Sequence, residues 1–300
     1  MGALFVRRRS RLCSQFESWP WRLCAALLLA SPALVTAQDS NAPASAGTTN
    51  SSSFATPFSR YLTAYEPVYF LLGTYPAAEF QFSLKYQVFA PTNRWAQPFT
   101  NLYLAYTQTS FWDLLSSDPS FYDTSYKPSA FVHIPDLLHG RNENPCQLDL
   151  QAGIEHESNG RGGANERSLY TSYLQPTFTL GQPQSLQLSL SPRAWVYVIG
   201  VNRNNPDIAN YRGYADLRGV LSWNQNGQED NQAFKLTTAF GLGDDGSHSS
   251  LKFDLSFSVW QWCRWFTPRI HVQYFTGYGQ TLRQYNQSSH GLRAGISLYD

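Results

Sequence analysis

Along most of this chain, apolar and polar residues take turns. Phe80, Phe82, Leu84, Tyr86 and Val88 alternate with Gln81, Ser83, Lys85 and Gln87. Leu251, Phe253, Leu255, Phe257 and Val259 alternate in the same way with Lys252, Asp254, Ser256 and Ser258. A strand sends successive side chains to opposite faces, so a period of two predicts strands with one oily and one polar side. Turn residues separate these stretches. The pattern predicts strands over 66–75, 79–89, 102–113, 127–134, 146–160, 166–180, 185–200, 212–224, 232–241, 249–260, 267–277 and 290–299.

The segment over 146–160 carries the pattern into chemistry. Leu148, Leu150, Ala152 and Ile154 share its apolar face, and the next two residues in phase are His156 and Ser158. A soluble protein buries such a face in its core; a membrane barrel turns it toward lipid. Where that face points decides what the pair can reach.

Composition favours lipid. Charged residues are only 14% of the 300, aromatics are 15%, and there are 18 Tyr and 9 Trp. Tyr and Trp suit membrane interfaces because each has an apolar body and a polar handle. The formal net charge of +1 argues against a nucleic-acid partner. Beyond the N-terminus no apolar run approaches the roughly 18 residues of a spanning helix. Any spanning must then be by a closed barrel, since lipid offers no partner to open sheet edges. Lys85, Asp149, Lys252 and Asp254 would point inward and pair across the lumen. A sandwich would place the same charges on its solvent side, so alternation alone leaves both open. Segment number and length favour the expected fold: all-β, a 12-stranded antiparallel transmembrane β-barrel.

Strand parity sorts the connections. Those at 114–126, 161–165, 201–211, 242–248 and 278–289 share one end, which is read as the outer one. The GQPQ turn at 181–184 and residues 261–265 fall at the other end, where 90–101 and 135–145 are long for inner turns. Residues 1–37 read as an export signal, with Arg7, Arg8 and Arg9, a short apolar run from Cys24 to Ala30, and a small-residue site at Val35-Thr36-Ala37. Residues 38–60 read as a disordered lead-in, leaving 61–300 for the barrel. Of four cysteines, two lie in the leader; Cys146 and Cys263 permit a disulfide without demanding one.

A serine hydroxyl is a weak nucleophile until a base takes its proton. Two positions along a strand separate His156 and Ser158 by about 7 Å at Cα, a gap that imidazole and hydroxyl can bridge. Alone, H-x-S is a weak signal and equally a polar strand end entering an S-N-G turn. Its surroundings are more specific. EHESNGR followed by ERSLYTSYLQP resembles the outer membrane phospholipase A family, in which H-x-S-N-G-R precedes R-S-x-N and a Tyr three residues later. YTQTSFWDL at 106–114, TSYKPSAF at 124–131, NNPDIANYRGY at 204–214 and QYFTGYGQTL at 273–282 also look like family segments. Together they extend the resemblance from about residue 65 to the C-terminus.

The resemblance implies a bacterial outer membrane barrel with its active site on the outer wall. It also implies a calcium-dependent serine hydrolase of phospholipids, active as a homodimer. By it, Ser158 is the nucleophile, His156 the general base and the Gly160 N–H an oxyanion donor. The family's third residue, an Asn that orients the histidine, falls at Tyr170; Arg167, Ser168 and Tyr173 keep the surrounding pattern. A phenol oxygen can accept from imidazole, but Tyr170 is equally an interfacial tyrosine in a degraded triad. Asn165 is nearby in the loop and breaks the spacing. For calcium, the Arg161 carbonyl is retained, while Gly163 and Glu166 stand at the family's Asp and Ser positions. Asp118 lies near the partner-loop position, and Glu166 is a candidate replacement carboxylate; solvated loop charge is the plainer reading of both. Gln108 matches a family glutamine on the outer wall that supports dimerisation, though its phase also allows a lumen position. Two other readings stand beside this one: a non-catalytic barrel, relic or small pore, and a soluble two-sheet binding domain.

Overall fold

The alternation closes into a barrel. The computed structural model describes residues 61–89, 100–139, 146–182, 185–199, 205–224, 232–259 and 268–299. The expected export signal, the lead-in and Cys263 lie outside the described residues. In chain order the elements are β1 (Leu62–Ala64), β2 (Val68–Gly73), β3 (Ala78–Gln87), β4 (Leu102–Asp113), β5 (Ser120–His139), β6 (Cys146–Ser158) and β7 (Ser168–Gly181). They continue with β8 (Leu186–Ile199), a short helix α1 (Ile208–Arg212), β9 (Ala215–Asn224), β10 (Gln232–Leu242), β11 (Ser249–Ser258), β12 (Arg269–Gly277) and β13 (Ser289–Tyr299). From β2 onward, neighbours in sequence pair antiparallel, and β13 returns to β2 with Ile296 opposite Phe70. That last pairing leaves no open edge between first and last strands and excludes the two-sheet sandwich.

The first barrel strand comes in two arms. β1 and β2 both pair with β3, Leu62 opposite Tyr86 and Leu72 opposite Ala78. Pro67 between them has no N–H for the ladder, and the Glu66 N–H turns to the Ser83 hydroxyl instead at 3.0 Å. Counted as one, the two arms make twelve strands around a closed antiparallel barrel.

Three expected boundaries move. The segment at 127–134 is the middle of β5, which runs from Ser120 to His139. Pro128 and Pro135 look like strand breakers, yet Pro128 is accommodated opposite Tyr106. Beyond Pro135 the strand is bulged at Asp136, whose φ is 59° and whose N–H bonds Asp149 Oδ1 at 2.8 Å. β9 starts at Ala215 rather than 212, because α1 occupies the preceding residues and Gly213, with φ of 60°, ends it. The first segment is cut by Pro67 as described.

The barrel is inverted relative to a soluble protein. Outward residues such as Leu72, Ile154, Leu174, Val196 and Leu292 are exposed, while charge collects inside. Arg293 meets Glu79 at 3.3 Å, Arg218 meets Glu66 at 2.8 Å, and Arg193 meets Glu155 at 3.3 Å. Lys252 pairs with Asp254 at 3.5 Å as the pattern suggested, and His271 joins the same carboxylate at 3.0 Å. Asp149 instead meets His133 at 3.5 Å, and Lys85 lies over the Tyr65 and Tyr103 rings. Cavities of about 340 and 290 Å³ lie among these side chains. An apolar outer wall around a polar interior is the arrangement a barrel needs in a hydrocarbon phase.

At the end read as the outer one, the strands share one cap. The Arg161 guanidinium, from the β6–β7 loop, donates to the carbonyls of Phe121 and Tyr122 at 3.0 Å each. From the β12–β13 loop, the Arg283 N–H donates to Asp123 Oδ2 at 2.8 Å. Helix α1 sits among them, with Ile208 packed against Leu169, Leu282 and Tyr285. Burial and then the Asp207 carboxylate raise the Tyr285 phenol above its ordinary value, so it stays protonated and donates to Asp207. Cys146 is exposed at the start of β6.

Candidate active site

The phase of β6 fixes which way its last residues face. Glu155 and Glu157 line the interior, so Ile154, His156 and Ser158 face out, and Ile154 is 60% exposed. The expected histidine and serine therefore share the lipid-facing wall. Ser158 stands opposite Ser168 on β7 and opposite Tyr126 on β5. His156 stands opposite Tyr170.

The loop beyond Ser158 is built around one amide. Asn159 is buried; its N–H donates to the Arg167 carbonyl at 3.0 Å. Its side-chain Oδ1 accepts the N–H groups of Arg161 and Arg167 at 3.2 and 3.1 Å, while Nδ2 donates to the Asn165 carbonyl at 2.9 Å. These bonds cross the mouth of the hairpin and fold the chain over a single 3₁₀ turn, Gly163–Asn165. Gly160 follows at φ of 66°, a conformation that costs most side chains energy. There is also no room for one: a Cβ would meet the Tyr126 ring at 2.8 Å. The result is a Gly160 N–H aimed at Ser158 Oγ, 3.2 Å away.

The imidazole is held from its far side. His156 Nδ1 lies 3.1 Å from the Leu169 carbonyl oxygen. A carbonyl can only accept, so this contact places the proton on Nδ1 and leaves Nε2 as the basic nitrogen. Tyr170 meets His156 ring to ring, centroids 4.3 Å apart and planes at 33°. The position expected to offer a hydrogen-bond acceptor thus offers an aromatic face, and a backbone carbonyl from the neighbouring residue takes the nitrogen.

Gln108 resolves to the outer wall. Thr107 faces in, bonded to Ser83 at 2.7 Å, so Gln108 faces out. There it accepts from the Tyr106 hydroxyl at 2.9 Å and donates to Ser110 Oγ at 3.1 Å. An amide in an apolar setting needs partners, and these two supply them. It stands opposite Tyr126, which in turn stands opposite Ser158, so β5 alone separates the two.

The calcium candidates are less concentrated. Asp118 is exposed in the β4–β5 turn, where its carbonyl accepts the Ser116 hydroxyl at 2.8 Å. Glu166 is half-buried after the 3₁₀ turn, and Arg161 belongs to the same loop. Their oxygens suit a hard cation, but calcium takes about six to eight. Among the described residues no cluster of three or more His, Cys, Asp or Glu forms a metal site.

Two residues that organise the site had no assigned role in the sequence. Asn159 reads simply as a turn residue, although its partners Arg161, Asn165 and Arg167 all lie in its own loop; Glu157 carries no local signal, because its partners Ser125 and Arg212 lie far away in sequence.

Comparisons with known proteins bear on the family and the fold. A family model described as Phospholipase A1 matches residues 74–298. Phospholipase A1 of Escherichia coli K12 is 28% identical over 203 residues, covering 65% of this chain and 61% of that protein. A putative phospholipase A1 of Neisseria meningitidis is 28% identical over 212 residues, covering 67% and 49%. The chain thus spans less than two thirds of these curated relatives. Among solved structures, outer membrane phospholipase A from E. coli superposes with a TM-score of 0.63 at 22% identity, over 80% of this chain and 98% of that one. An outer membrane phospholipase dimer from Salmonella typhi with bound calcium gives 0.63 at 21% identity, over 80% and 92%.

Proposed function

Because the chain belongs to the phospholipase A1 family, we propose that it is an outer membrane phospholipase that cleaves acyl esters of phospholipids, of A1, A2 and lysophospholipid type. The observation that carries this reading is the outward pair His156 and Ser158 with the Gly160 N–H at 3.2 Å from the serine oxygen. A phospholipid in the surrounding leaflet reaches such a wall without leaving the membrane.

The geometry supports the following roles. His156 Nε2 takes the Ser158 proton as Oγ attacks the ester carbonyl carbon. The carbonyl oxygen becomes an oxyanion, and the Gly160 N–H is the donor available to it. Collapse breaks the ester C–O bond; the leaving alkoxide takes the proton from His156, and the acyl group stays on Ser158. Water, deprotonated by the same imidazole, then attacks the acyl carbon; the bond to Ser158 Oγ breaks, Oγ takes the proton back from His156, and the fatty acid leaves. Throughout, the Leu169 carbonyl holds Nδ1–H and keeps the ring oriented.

Calcium and a second copy complete the proposal. The Arg161 carbonyl, Glu166 and Asp118 offer part of a hard-oxygen shell, and a homodimer with water would supply the rest; the Salmonella typhi phospholipase is a dimer with bound calcium. When bound, calcium would add positive charge near the developing oxyanion. Gln108, on the same wall, is the proposed polar contact at the dimer face.

The test uses purified protein in detergent with calcium and a phospholipid. Wild type releases fatty acid and Ser158→Ala does not; equal release ends the serine-hydrolase reading. A chelator lowers the rate if the loop uses calcium. One observation favours a second reading, a catalytically weakened barrel: an aromatic ring occupies the third position. Tyr170→Asn then raises activity, whereas Tyr170→Phe, which keeps the ring contact, leaves it near wild type.

A further inference from the structure

Between His156 and Ser158, on the opposite face of β6, sits Glu157. It is only 4% exposed. Ser125 donates to its Oε1 at 2.7 Å, Lys127 approaches the same oxygen at 3.6 Å, and Arg212 donates to Oε2 at 2.9 Å. Ser125 and Lys127 belong to the adjacent strand. Arg212 does not: it is the last residue of α1, in the segment joining β8 to β9.

The same segment touches the hairpin twice more. Asn205 Nδ2 donates to the Ser168 carbonyl at 2.8 Å, where Ser168 is the residue opposite Ser158. Ile208, fully buried, packs on Leu169, whose carbonyl takes His156 Nδ1. The Tyr285 hydroxyl donates to Asp207 and pins the start of α1 to the β12–β13 loop. The cap thus grips the residue between the candidate base and nucleophile, the residue opposite the nucleophile, and the residue that orients the base.

We propose that α1 is a positioning device for the outer-wall chemistry: Arg212, through Glu157, and Ile208, through Leu169, hold His156 and Ser158 in register from inside the barrel. Events at the cap then reach the lipid face through the wall of the barrel. This rests on the reading of Ser158 and His156 given above, but the mechanical link can be tested apart from it. Cutting the link need not unfold the barrel. In Arg212→Ala, Glu157 keeps Ser125 and Lys127, so its charge is not left unpaired.

The experiment uses the full chain, refolded in detergent with calcium, in four variants: Arg212→Ala, Arg212→Lys, Ile208→Ala and Arg218→Gln. The last removes a lumen pair, Arg218 with Glu66, away from the hairpin. Folding is read by heat-dependent migration on a gel, kinetics by fatty-acid release, and the hairpin by hydrogen exchange at the amides of Asn159, Arg161 and Arg167. Arg212→Ala and Ile208→Ala lower kcat about 10- to 100-fold with KM little changed, as expected for misplaced groups, and speed exchange at those amides. Arg212→Lys recovers part of both; Arg218→Gln changes neither. Unchanged exchange in a folded Arg212→Ala or Ile208→Ala overturns the link, as does an equal effect from Arg218→Gln. If wild type and Ser158→Ala release fatty acid equally, the chemistry falls while exchange still decides the coupling.

Discussion

Asn159→Ala isolates the loop from the barrel. The substitution removes an acceptor for two backbone N–H groups and a donor to a third backbone atom, at 3.2, 3.1 and 2.9 Å. Each lost bond costs about 1 kcal/mol, and more where a donor is left dry. Together they weaken the closed loop by about 3 kcal/mol, on the order of a hundredfold in its closed-to-open ratio. The strands on either side keep their ladder, so the barrel stays folded. What is lost is the aim of the Gly160 N–H, and removing one oxyanion donor typically lowers kcat by about 10²–10³. Asn159→Asp keeps both acceptor roles and loses only the bond to Asn165, so its kcat falls by about tenfold. The assay is fatty-acid release from detergent-dispersed phospholipid, with the folded fraction fixed by gel migration. If Asn159→Ala turns over substrate at the wild-type rate in a folded barrel, the loop does not aim the donor and this account of Gly160 is wrong.

Other expected outcomes concern packing. Gly160→Ala places a methyl 2.8 Å from the Tyr126 ring at a φ of 66°; it abolishes release while leaving the folded band, and a fully active variant refutes the tight fit. Ile154→Lys puts a charge on the outer wall at a site 60% exposed to the surroundings. In lipid vesicles it destabilises the fold by up to about 2–4 kcal/mol, measured as a lower denaturant midpoint; no shift in vesicles means that Ile154 does not meet hydrocarbon.

The barrel was legible because every strand obeys one rule on both faces. Lys252 and Asp254 could be placed inside from their phase alone, as could Ile154, His156 and Ser158 outside. Phase alone places Tyr170 on the outer face but leaves its role open: spacing shows which residues are neighbours, not whether a tyrosine offers its oxygen or its ring. Gln108 remained ambiguous until the register with β3 and β5 was known. Glu157 and Arg212 are 55 residues apart in sequence, and no local pattern announces such a pair. The full length of β5 was hidden for a related reason, because the bulge that lets it pass Pro135 is bonded by Asp149 from the next strand.

The outward placement of Ser158 has a kinetic corollary. A substrate that arrives sideways, along the leaflet, is counted in molecules per area rather than per volume. Diluting the active lipid with an inert one at constant bulk concentration should slow turnover, while adding water should not. Any circumstance that crowds phospholipid against this wall would then act as a throttle, even with the protein itself unchanged.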